Sequence, residues 1–143
     1  MTSGLSLTVS MDFDAPLSIV WDAIVNPEII KQYLFGTETV SDWKVGSPII
    51  FQGVWEGVAY KDKGTILELI PEKKLKYDYW SSFSKLEDAP ENYQQITFEL
   101  SSNAENTILT LTQENVPNET AKEHSEANWK MILEQMKKIV ENK

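Results

Sequence analysis

The sequence of 143 residues contains no cysteine and no arginine, and it has a single histidine. Without cysteine the chain can form no disulfide, no thiolate nucleophile and no cysteine-ligated metal site. Because all 13 basic residues are lysine, the planar guanidinium fork that binds carboxylates and phosphates through two parallel hydrogen bonds is missing. The lone His124 cannot supply the two or three side-chain ligands typical of zinc or iron sites, so we expect no metal.

The chain also lacks the motifs of several common enzyme classes. No G-x-S-x-G segment is present, and the helical spacing places His124 off the apolar stripe and facing water, which disfavours a serine triad. Phosphate-binding loops need glycines that open onto a helix, whereas Gly46, Gly53, Gly57 and Gly64 fall among predicted strands. We therefore expect neither serine hydrolase chemistry nor nucleotide binding, and no cofactor.

Positive charge is scarce, since 22 acidic against 13 basic residues give a formal net charge of −9. This charge repels phosphate backbones and anionic membrane surfaces, and the lysines form no basic block. No apolar run approaches the roughly 18 residues that a membrane span needs, and the N-terminal segment lacks the pattern of a secretion signal. We expect no nucleic-acid partner, no membrane insertion and a cytoplasmic location.

Apolar residues make up 41% of the chain, and five Trp, five Tyr and five Phe supply large side chains. This is enough for one core without metals or disulfides, so we expect a single domain over residues 1–143. Residues 5–13 alternate strictly between apolar and polar, which predicts a half-buried strand. A short helix with Pro16 in its first turn follows, and then a second one capped by Asn26 and ended by Gly36.

Strand patterns dominate from Val40 to Gln113, and turn residues divide them. The clearest strands are residues 49–55, 58–70, 75–83, 94–101 and 107–114. Residues 119–141 contain no glycine or proline and carry an apolar stripe, which predicts a long helix with Asn118 as its cap. The order of elements predicts an α+β fold in which a curved antiparallel sheet wraps around the long C-terminal helix.

Aromatic residues are concentrated on the predicted strands. Each ring could pack against the long helix as core or could line a hollow between helix and sheet. As a group the rings favour a cavity, because a curved sheet and a single helix do not fill the space between them. The predicted wall of a ligand site consists of Trp43, Phe51, Trp55, Tyr60, Tyr77, Tyr79, Phe98, Trp129 and Met136.

Carboxylates on the predicted strands are the candidates for acid–base chemistry. They are Glu56, Asp62, Glu68, Asp78 and Glu99. A carboxyl group buried beside Tyr60, Tyr77 or Tyr79 could act as a general acid or base. Because charged strand residues usually occupy the wet face of a sheet, we expect most of the five to face solvent. No acid–base pair stands out, and catalytic residues stay unassigned.

Several segments resemble those of a known family. They are DAPLSIVWDAIVNPEIIKQYLFG (14–36), SDWKVGSPIIFQG (41–53), DKGTILELIPEKKLKYDYWS (62–81), TILTLTQ (107–113) and NWKMILEQM (128–136). Their order resembles the SRPBCC, or START-like, superfamily, and specifically bacterial proteins similar to the C-terminal domain of the activator of the ninety-kilodalton heat-shock chaperone's ATPase. The resemblance implies a helix-grip fold, with a seven-stranded antiparallel sheet, two short helices after the first strand and a C-terminal helix gripped over a cavity.

The resemblance narrows the fold more than the function. Relatives bind sterols, lipids, polyketides or plant hormones, some act as cyclases or aromatases, and others assist a chaperone. The leading hypothesis is a protein that encloses a hydrophobic or aromatic small molecule without turning it over. The alternatives are a polyketide cyclase- or dehydratase-like enzyme and an interaction module whose partner is a chaperone or a second copy of the chain.

Overall fold

A computed structural model of the protein describes residues 5–34, 36–81 and 86–141, without the side chains of Trp55 and Asn103. Its elements in chain order are β1 (Leu5–Phe13), α1 (Leu17–Val25), α2 (Pro27–Tyr33), β2 (Glu38–Ser41), β3 (Pro48–Trp55), β4 (Val58–Ile70), β5 (Lys74–Tyr79), β6 (Gln94–Asn103), β7 (Asn106–Val116) and α3 (Glu119–Glu141). A single 3-10 turn, Pro90–Asn92, precedes β6. The predicted α+β class is confirmed.

The strands of the described residues form one curved antiparallel sheet of seven, in the order β1-β7-β6-β5-β4-β3-β2. Strands β2 to β7 are each next to the following one, as expected of a meander, while β1 lies beside the last strand. Consequently α1 and α2 carry the chain from one edge of the sheet to the other. All three helices pack on the same apolar side, and this helix-grip-like arrangement places α3 against β1 and β7.

The two short helices begin and end where the sequence indicates, with one small difference. Pro16 occupies the N-cap of α1 in an extended conformation, one position before the predicted first turn. The Asn26 side chain caps α2 by accepting a hydrogen bond from the amide of Glu28 at 3.1 Å. Beyond α2, Gly36 has a φ of +86°, and its amide donates to the carbonyl of Lys31. This left-handed residue reverses the chain toward β2.

Helix α3 spans the predicted residues 119–141. The Asn118 side chain accepts a hydrogen bond from the amide of Ala121 at 2.8 Å and so caps its first turn. Its apolar stripe is buried through Ile132, Leu133, Met136 and Val140. Because the rest of the helix surface is polar, burial of this stripe is the main force that holds α3 on the sheet.

A tight turn sets the register of β3 and β4. Glu56 and Gly57 both have positive φ, at 49° and 81°, and they form the two-residue loop of the β3–β4 hairpin. Strand β5 ends at Tyr79, earlier than the predicted strand 75–83, and in the described part of the chain one further bridge, between Lys63 and Trp80, extends the pairing. Residues 82 and 83 of that predicted strand lie outside the described residues.

A helix that crosses a bilayer must be both long and apolar. Helix α3 has 23 residues, but its outward face is strongly polar. Among the described residues, no helix combines the length and the apolar character needed to span a membrane.

Candidate functional site

A cavity of about 350 Å³ lies between the sheet and α3. Strands β3 to β7 supply one wall, α3 supplies the opposite wall, and the segment after α2 contributes Leu34 and Thr37. The remaining lining residues are Phe51, Tyr60, Asp62, Tyr77, Tyr79, Gln94, Ile96, Gln113, Ser125, Asn128, Trp129 and Ile132. This volume is within the range of roughly 300–1,000 Å³ that small-molecule sites usually occupy.

The strand register brings the sheet residues of this wall together. Residues directly opposite one another on neighbouring antiparallel strands point to the same face. Phe51 is opposite Asp62, Tyr79 is opposite Gln94, and Ile96 is opposite both Tyr77 and Gln113. The sheet residues that line the cavity therefore form one patch on the same face, and this patch extends across five strands, β3 to β7.

A continuous row of aromatic rings forms the apolar part of the site. The Phe51 ring lies 5.9 Å from that of Tyr79 and 5.7 Å from that of Tyr77, centroid to centroid. From Tyr77 the row continues to Phe98 at 6.4 Å, and Phe98 meets Trp129 of α3 edge-on at 5.8 Å. These separations are typical of favourable aromatic pairs, so the row connects sheet and helix while one side of most rings faces the cavity.

The structure places the nine predicted wall residues in different surroundings. Those that line the cavity are Phe51, Tyr60, Tyr77, Tyr79 and Trp129. Trp43 and Phe98 instead line an adjoining void of about 20 Å³, which is too small for a ligand and lies behind the aromatic row. Met136 is fully buried in the packed core and does not line either space. The side chain of Trp55 lies outside the described part of the chain.

Asp62 is the one charged side chain among the described residues that line the cavity. Only 7% of its surface is exposed. Its Oδ2 accepts a hydrogen bond from the Tyr79 hydroxyl at 2.7 Å, and its Oδ1 accepts one from the Ser81 hydroxyl at 3.1 Å. Donors on both oxygens compensate part of the cost of removing a carboxylate from water.

The polar groups on other parts of the wall bond to one another. The indole nitrogen of Trp129 donates to Gln113 Oε1 at 2.8 Å, and Gln113 Nε2 donates to Gln94 Oε1. At the opposite side of the lining, the hydroxyls of Thr37 and Tyr60 share a hydrogen bond of 2.5 Å. These contacts fix the side chains that border the cavity and tie α3 to strands β6 and β7.

Burial raises the pKa of two tyrosines in this region. Desolvation raises the pKa of Tyr77, which is 5% exposed, well above its ordinary value. The pKa of Tyr79 is raised too, first by burial and then by the negative charge of Asp62. Both hydroxyls therefore stay protonated at neutral pH and can serve as hydrogen-bond donors or general acids, but not as bases.

Asp62 is an exception among the strand carboxylates. Glu56 and Glu99 are exposed, and Glu68 and Asp78 are partly exposed, so the expectation that most of the five face solvent is met. Asp78 accepts a hydrogen bond from the amide of Thr65 at 2.6 Å, away from the cavity lining. His124 is exposed on α3, as its helical position indicates.

Sequence reasoning missed most of the polar lining. Thr37, Gln94, Gln113, Ser125 and Asn128 carried no motif. Spacing did separate two of them from surface residues, because Ser125 falls on the apolar stripe of the long helix and Gln113 shares the strand phase of Leu109 and Leu111. A signal did exist for Asp62: it occupies the phase of β4 that also carries Tyr60, Gly64 and Ile66, so alternation alone places it on the inward face. We nevertheless expected most of the strand carboxylates to face solvent, because charged residues generally do so.

Comparison with known protein families and solved structures shows which family the chain belongs to. The model of the family Activator of Hsp90 ATPase homolog 1-like protein matches residues 14–141. A Cytophaga hutchinsonii protein, solved in solution, is 45% identical with a TM-score of 0.86, and the match covers 99% of this chain and 97% of that one. No curated protein matches the chain.

More distant structures share the fold. CalU16 from Micromonospora echinospora is 22% identical with a TM-score of 0.75, over 94% of this chain and 75% of that one. DynU16, a protein in the dynemicin biosynthetic locus, is 19% identical with a TM-score of 0.77, over 95% of this chain and 47% of that one. With the family match over residues 14–141 and the 45%-identical relative, the fold and the sequence agree: the chain belongs to the Activator of Hsp90 ATPase homolog 1-like family of the SRPBCC superfamily.

Proposed function

We propose that the protein binds a hydrophobic or aromatic small molecule in the cavity between the sheet and α3. The observation that carries this proposal is a space of about 350 Å³ bordered by aromatic rings from the sheet and from α3. A packed interior contains few voids larger than a water molecule, so a space of this size is available to a ligand.

The proposed contacts are the five lining aromatics. Phe51, Tyr77 and Trp129 offer ring faces and edges to a flat apolar molecule, and Tyr60 and Tyr79 add hydroxyls at its border. Trp43, Phe98 and Met136 would act from behind this wall by keeping the rings in place. Apolar walls with a few fixed polar groups are typical of small-molecule sites, which supports binding as the primary function.

A cavity-filling variant tests the proposal directly. Ser125 lines the cavity from α3, whereas Ala127, two residues further along the same helix, is exposed. Fluorescence titration with the neutral probe N-phenyl-1-naphthylamine should show saturable binding to the wild type. Binding should weaken by about tenfold or more in Ser125→Phe, because the new ring occupies the space, and should be unchanged in the control Ala127→Phe.

Two results would contradict the proposal. One is the absence of saturable probe binding to the folded wild type. The other is equal affinity of Ser125→Phe and Ala127→Phe, which would place the probe elsewhere on the molecule.

A second candidate, a cyclase- or dehydratase-like enzyme, is favoured by one specific contact. Asp62 and Tyr79 form a carboxylate–phenol pair at 2.7 Å on the cavity wall. Asp62 would remove a proton next to a carbonyl group, and the Tyr79 hydroxyl, released from its hydrogen bond once Asp62 is protonated, would donate to the resulting enolate oxygen. The name of the relative from the dynemicin locus associates that protein with a biosynthetic gene cluster, and this too supports the candidate.

Proton exchange distinguishes the enzyme from the binding protein. In D₂O, an enzyme of this kind should accelerate deuterium uptake at the carbon between the two carbonyls of 1-phenylbutane-1,3-dione, which NMR can follow. Asp62→Asn should abolish the acceleration, while Glu99→Gln, which removes an exposed carboxylate, should retain it. If the wild type does not accelerate deuterium uptake above the uncatalysed rate, the enzyme hypothesis is wrong. Ligand binding without turnover then remains the proposed function.

A further inference from the structure

We infer that Tyr77 sets the chemical class of the ligand: the cavity takes a neutral apolar molecule with a carbonyl group at its inner end, and the Tyr77 hydroxyl donates a hydrogen bond to that carbonyl oxygen. This inference rests on the proposed function, because it names the chemistry of the molecule that would occupy the same cavity. It concerns which molecules bind and not whether the cavity binds one, so the two can fail separately.

The Tyr77 hydroxyl is a buried donor for which the described part of the chain supplies no partner. Only 5% of the residue is exposed, and no described side chain or backbone group forms a hydrogen bond with its hydroxyl. Burial is the one cause that raises its pKa, whereas the hydrogen bond to Asp62 contributes to the raised pKa of Tyr79. Because a buried hydroxyl without a partner is costly, we expect a group from outside the chain to bind it.

The hydroxyl reaches open space and is not sealed in the core. Among the described residues, Thr39 Oγ1 is the one enclosed side-chain atom without a hydrogen-bond partner, so the Tyr77 oxygen is not enclosed. Tyr77 lines both the cavity of about 350 Å³ and the void of about 20 Å³ behind the aromatic row. The void is lined almost wholly by apolar and aromatic side chains, so it lacks the roughly two to four polar partners that a buried water needs. The larger space is therefore where the hydroxyl finds a partner.

The position of Tyr77 indicates which end of the ligand carries the acceptor. Strand β5 is the middle strand of the seven, and the Tyr77 ring lies between those of Phe51 at 5.7 Å and Phe98 at 6.4 Å. Asn128, an exposed lining residue on α3, marks the open side of the cavity. A molecule that reaches Tyr77 from this side has its acceptor at the inner end.

A neutral carbonyl is the acceptor that fits this wall. A ligand hydroxyl would bring a hydrogen that needs an acceptor of its own, and the wall acceptors Asp62 and Gln113 Oε1 already receive hydrogen bonds from protein donors. A carboxylate would need a cation to offset its desolvation, and no lysine or histidine side chain is among the described residues that line the cavity. A carbonyl oxygen accepts a hydrogen bond and brings neither a hydrogen nor a charge.

Two compounds of nearly the same shape test the inference. The ketone 2-acetylnaphthalene presents a carbonyl oxygen where the alkene 2-isopropenylnaphthalene presents a methylene carbon. Displacement of N-phenyl-1-naphthylamine at about pH 7 gives both affinities, and comparing their ratio between variants cancels the different hydration of the two compounds. In Tyr77→Phe the ratio of ketone affinity to alkene affinity should fall about tenfold below that of the wild type, because a buried hydrogen bond to the ligand is lost.

The matched control is Tyr33→Phe. Tyr33 is also buried, but its hydroxyl donates to the carbonyl of Ala23 at 2.8 Å, and the residue does not line the larger cavity. Removing this hydroxyl should leave the affinity ratio at the wild-type value.

The stability of the two variants without ligand gives a second readout. Tyr33→Phe loses its hydrogen bond to Ala23 and should unfold at a lower urea concentration than the wild type. Tyr77→Phe loses no protein partner, so its urea midpoint should equal or exceed that of the wild type. A loss in Tyr77→Phe as large as that in Tyr33→Phe, or a failure to fold, would show that the Tyr77 hydroxyl has a structural role and would overturn the inference.

The outcomes separate this inference from the proposed function. If N-phenyl-1-naphthylamine binds and Ser125→Phe weakens it, but the affinity ratio is the same in Tyr77→Phe and the wild type, the inference is wrong and the cavity proposal stands. The same conclusion follows if neither compound displaces the probe, or if Tyr33→Phe lowers the ratio as far as Tyr77→Phe. If the probe does not bind to the folded wild type, both proposals fail.

Discussion

Gly64 is a residue at which almost no side chain fits. A Cβ atom built there would lie 1.7 Å from the backbone carbonyl oxygen of Asp78, on the neighbouring strand β5. At Gly53 the nearest atom is instead the Tyr60 hydroxyl, at 2.7 Å, which is the end of a side chain and not part of the backbone. We predict that Gly64→Ala lowers the free energy of unfolding by about 3 kcal/mol or more, and Gly53→Ala by about 1 kcal/mol.

Urea denaturation of the two variants measures this difference. Because Gly53→Ala would push the Tyr60 ring toward the cavity, it should also weaken binding of N-phenyl-1-naphthylamine. Equal stability losses in the two variants would show that β4 and β5 are not held as closely at Gly64 as the structure indicates.

Buried tyrosines make the stability of the protein sensitive to alkaline pH. Burial raises the pKa of Tyr33 and Tyr77 well above the value of about 10 that they have in the unfolded chain. Above that pH the unfolded chain loses protons that the folded protein keeps, so stability is fully present below about pH 10 and falls as pH rises further. Each residue should contribute about 1.4 kcal/mol per pH unit.

Urea titrations between pH 8 and pH 11 would show this loss. Tyr77→Phe should have a shallower slope than the wild type over the same interval, because one ionisable group is gone. A wild-type stability that does not change from pH 9 to pH 11, or an unchanged slope in Tyr77→Phe, would contradict the burial of these hydroxyls.

Asp62 shows what could not be predicted at the level of a residue. Alternation along β4 places it on the inward face, but the free energy of a buried carboxylate depends on donors from elsewhere in the chain. Those donors, Tyr79 and Ser81, lie 17 and 19 residues away in sequence and reach Asp62 only through the β4–β5 pairing. The sequence therefore identifies the inward position of Asp62. The hydrogen bonds that offset the cost of burying its carboxylate can be seen only in the folded sheet.

The N-terminus of α3 gives a prediction for an element. Asn118→Ala removes the side-chain oxygen that accepts from the Ala121 amide, and it should lower the free energy of unfolding by about 1 kcal/mol. Asn118→Ser, which keeps a capping oxygen, should retain most of that stability. Thermal or urea denaturation of both variants checks the prediction, and an unchanged stability in Asn118→Ala would mean that the cap contributes nothing.

Most elements could be predicted because their patterns are local. Strict alternation over residues 5–13 gave β1, and the absence of Gly and Pro over residues 119–141 gave the bounds of α3. Within the described residues, the predicted strand 75–83 forms β5 only as far as Tyr79, followed by the bridge between Lys63 and Trp80, because aromatic residues favour strands but pairing depends on the neighbouring strand. The bulge between Ile66 and Glu68 in β4 also has no local signal, because it depends on the register with β5.

At the scale of the whole molecule, the path of the chain explains why a cavity exists. The connection through α1 and α2 joins β1 at one edge of the sheet to β2 at the other, and α3 then packs toward the β1 edge. The middle of the sheet, around Phe51 and Tyr77, is left with a gap below α3. The aromatic composition indicated such a space, but its polar lining and its volume follow from long-range packing.

The measurement that tests this account most directly is native mass spectrometry of the protein purified from its own host, with Ser125→Phe purified in parallel. The account predicts that the wild type carries one apolar molecule per chain, which denaturation releases for identification, and that the variant with the filled cavity carries none. An empty wild type that co-purifies with a chaperone, or a molecule retained equally by Ser125→Phe, would contradict it.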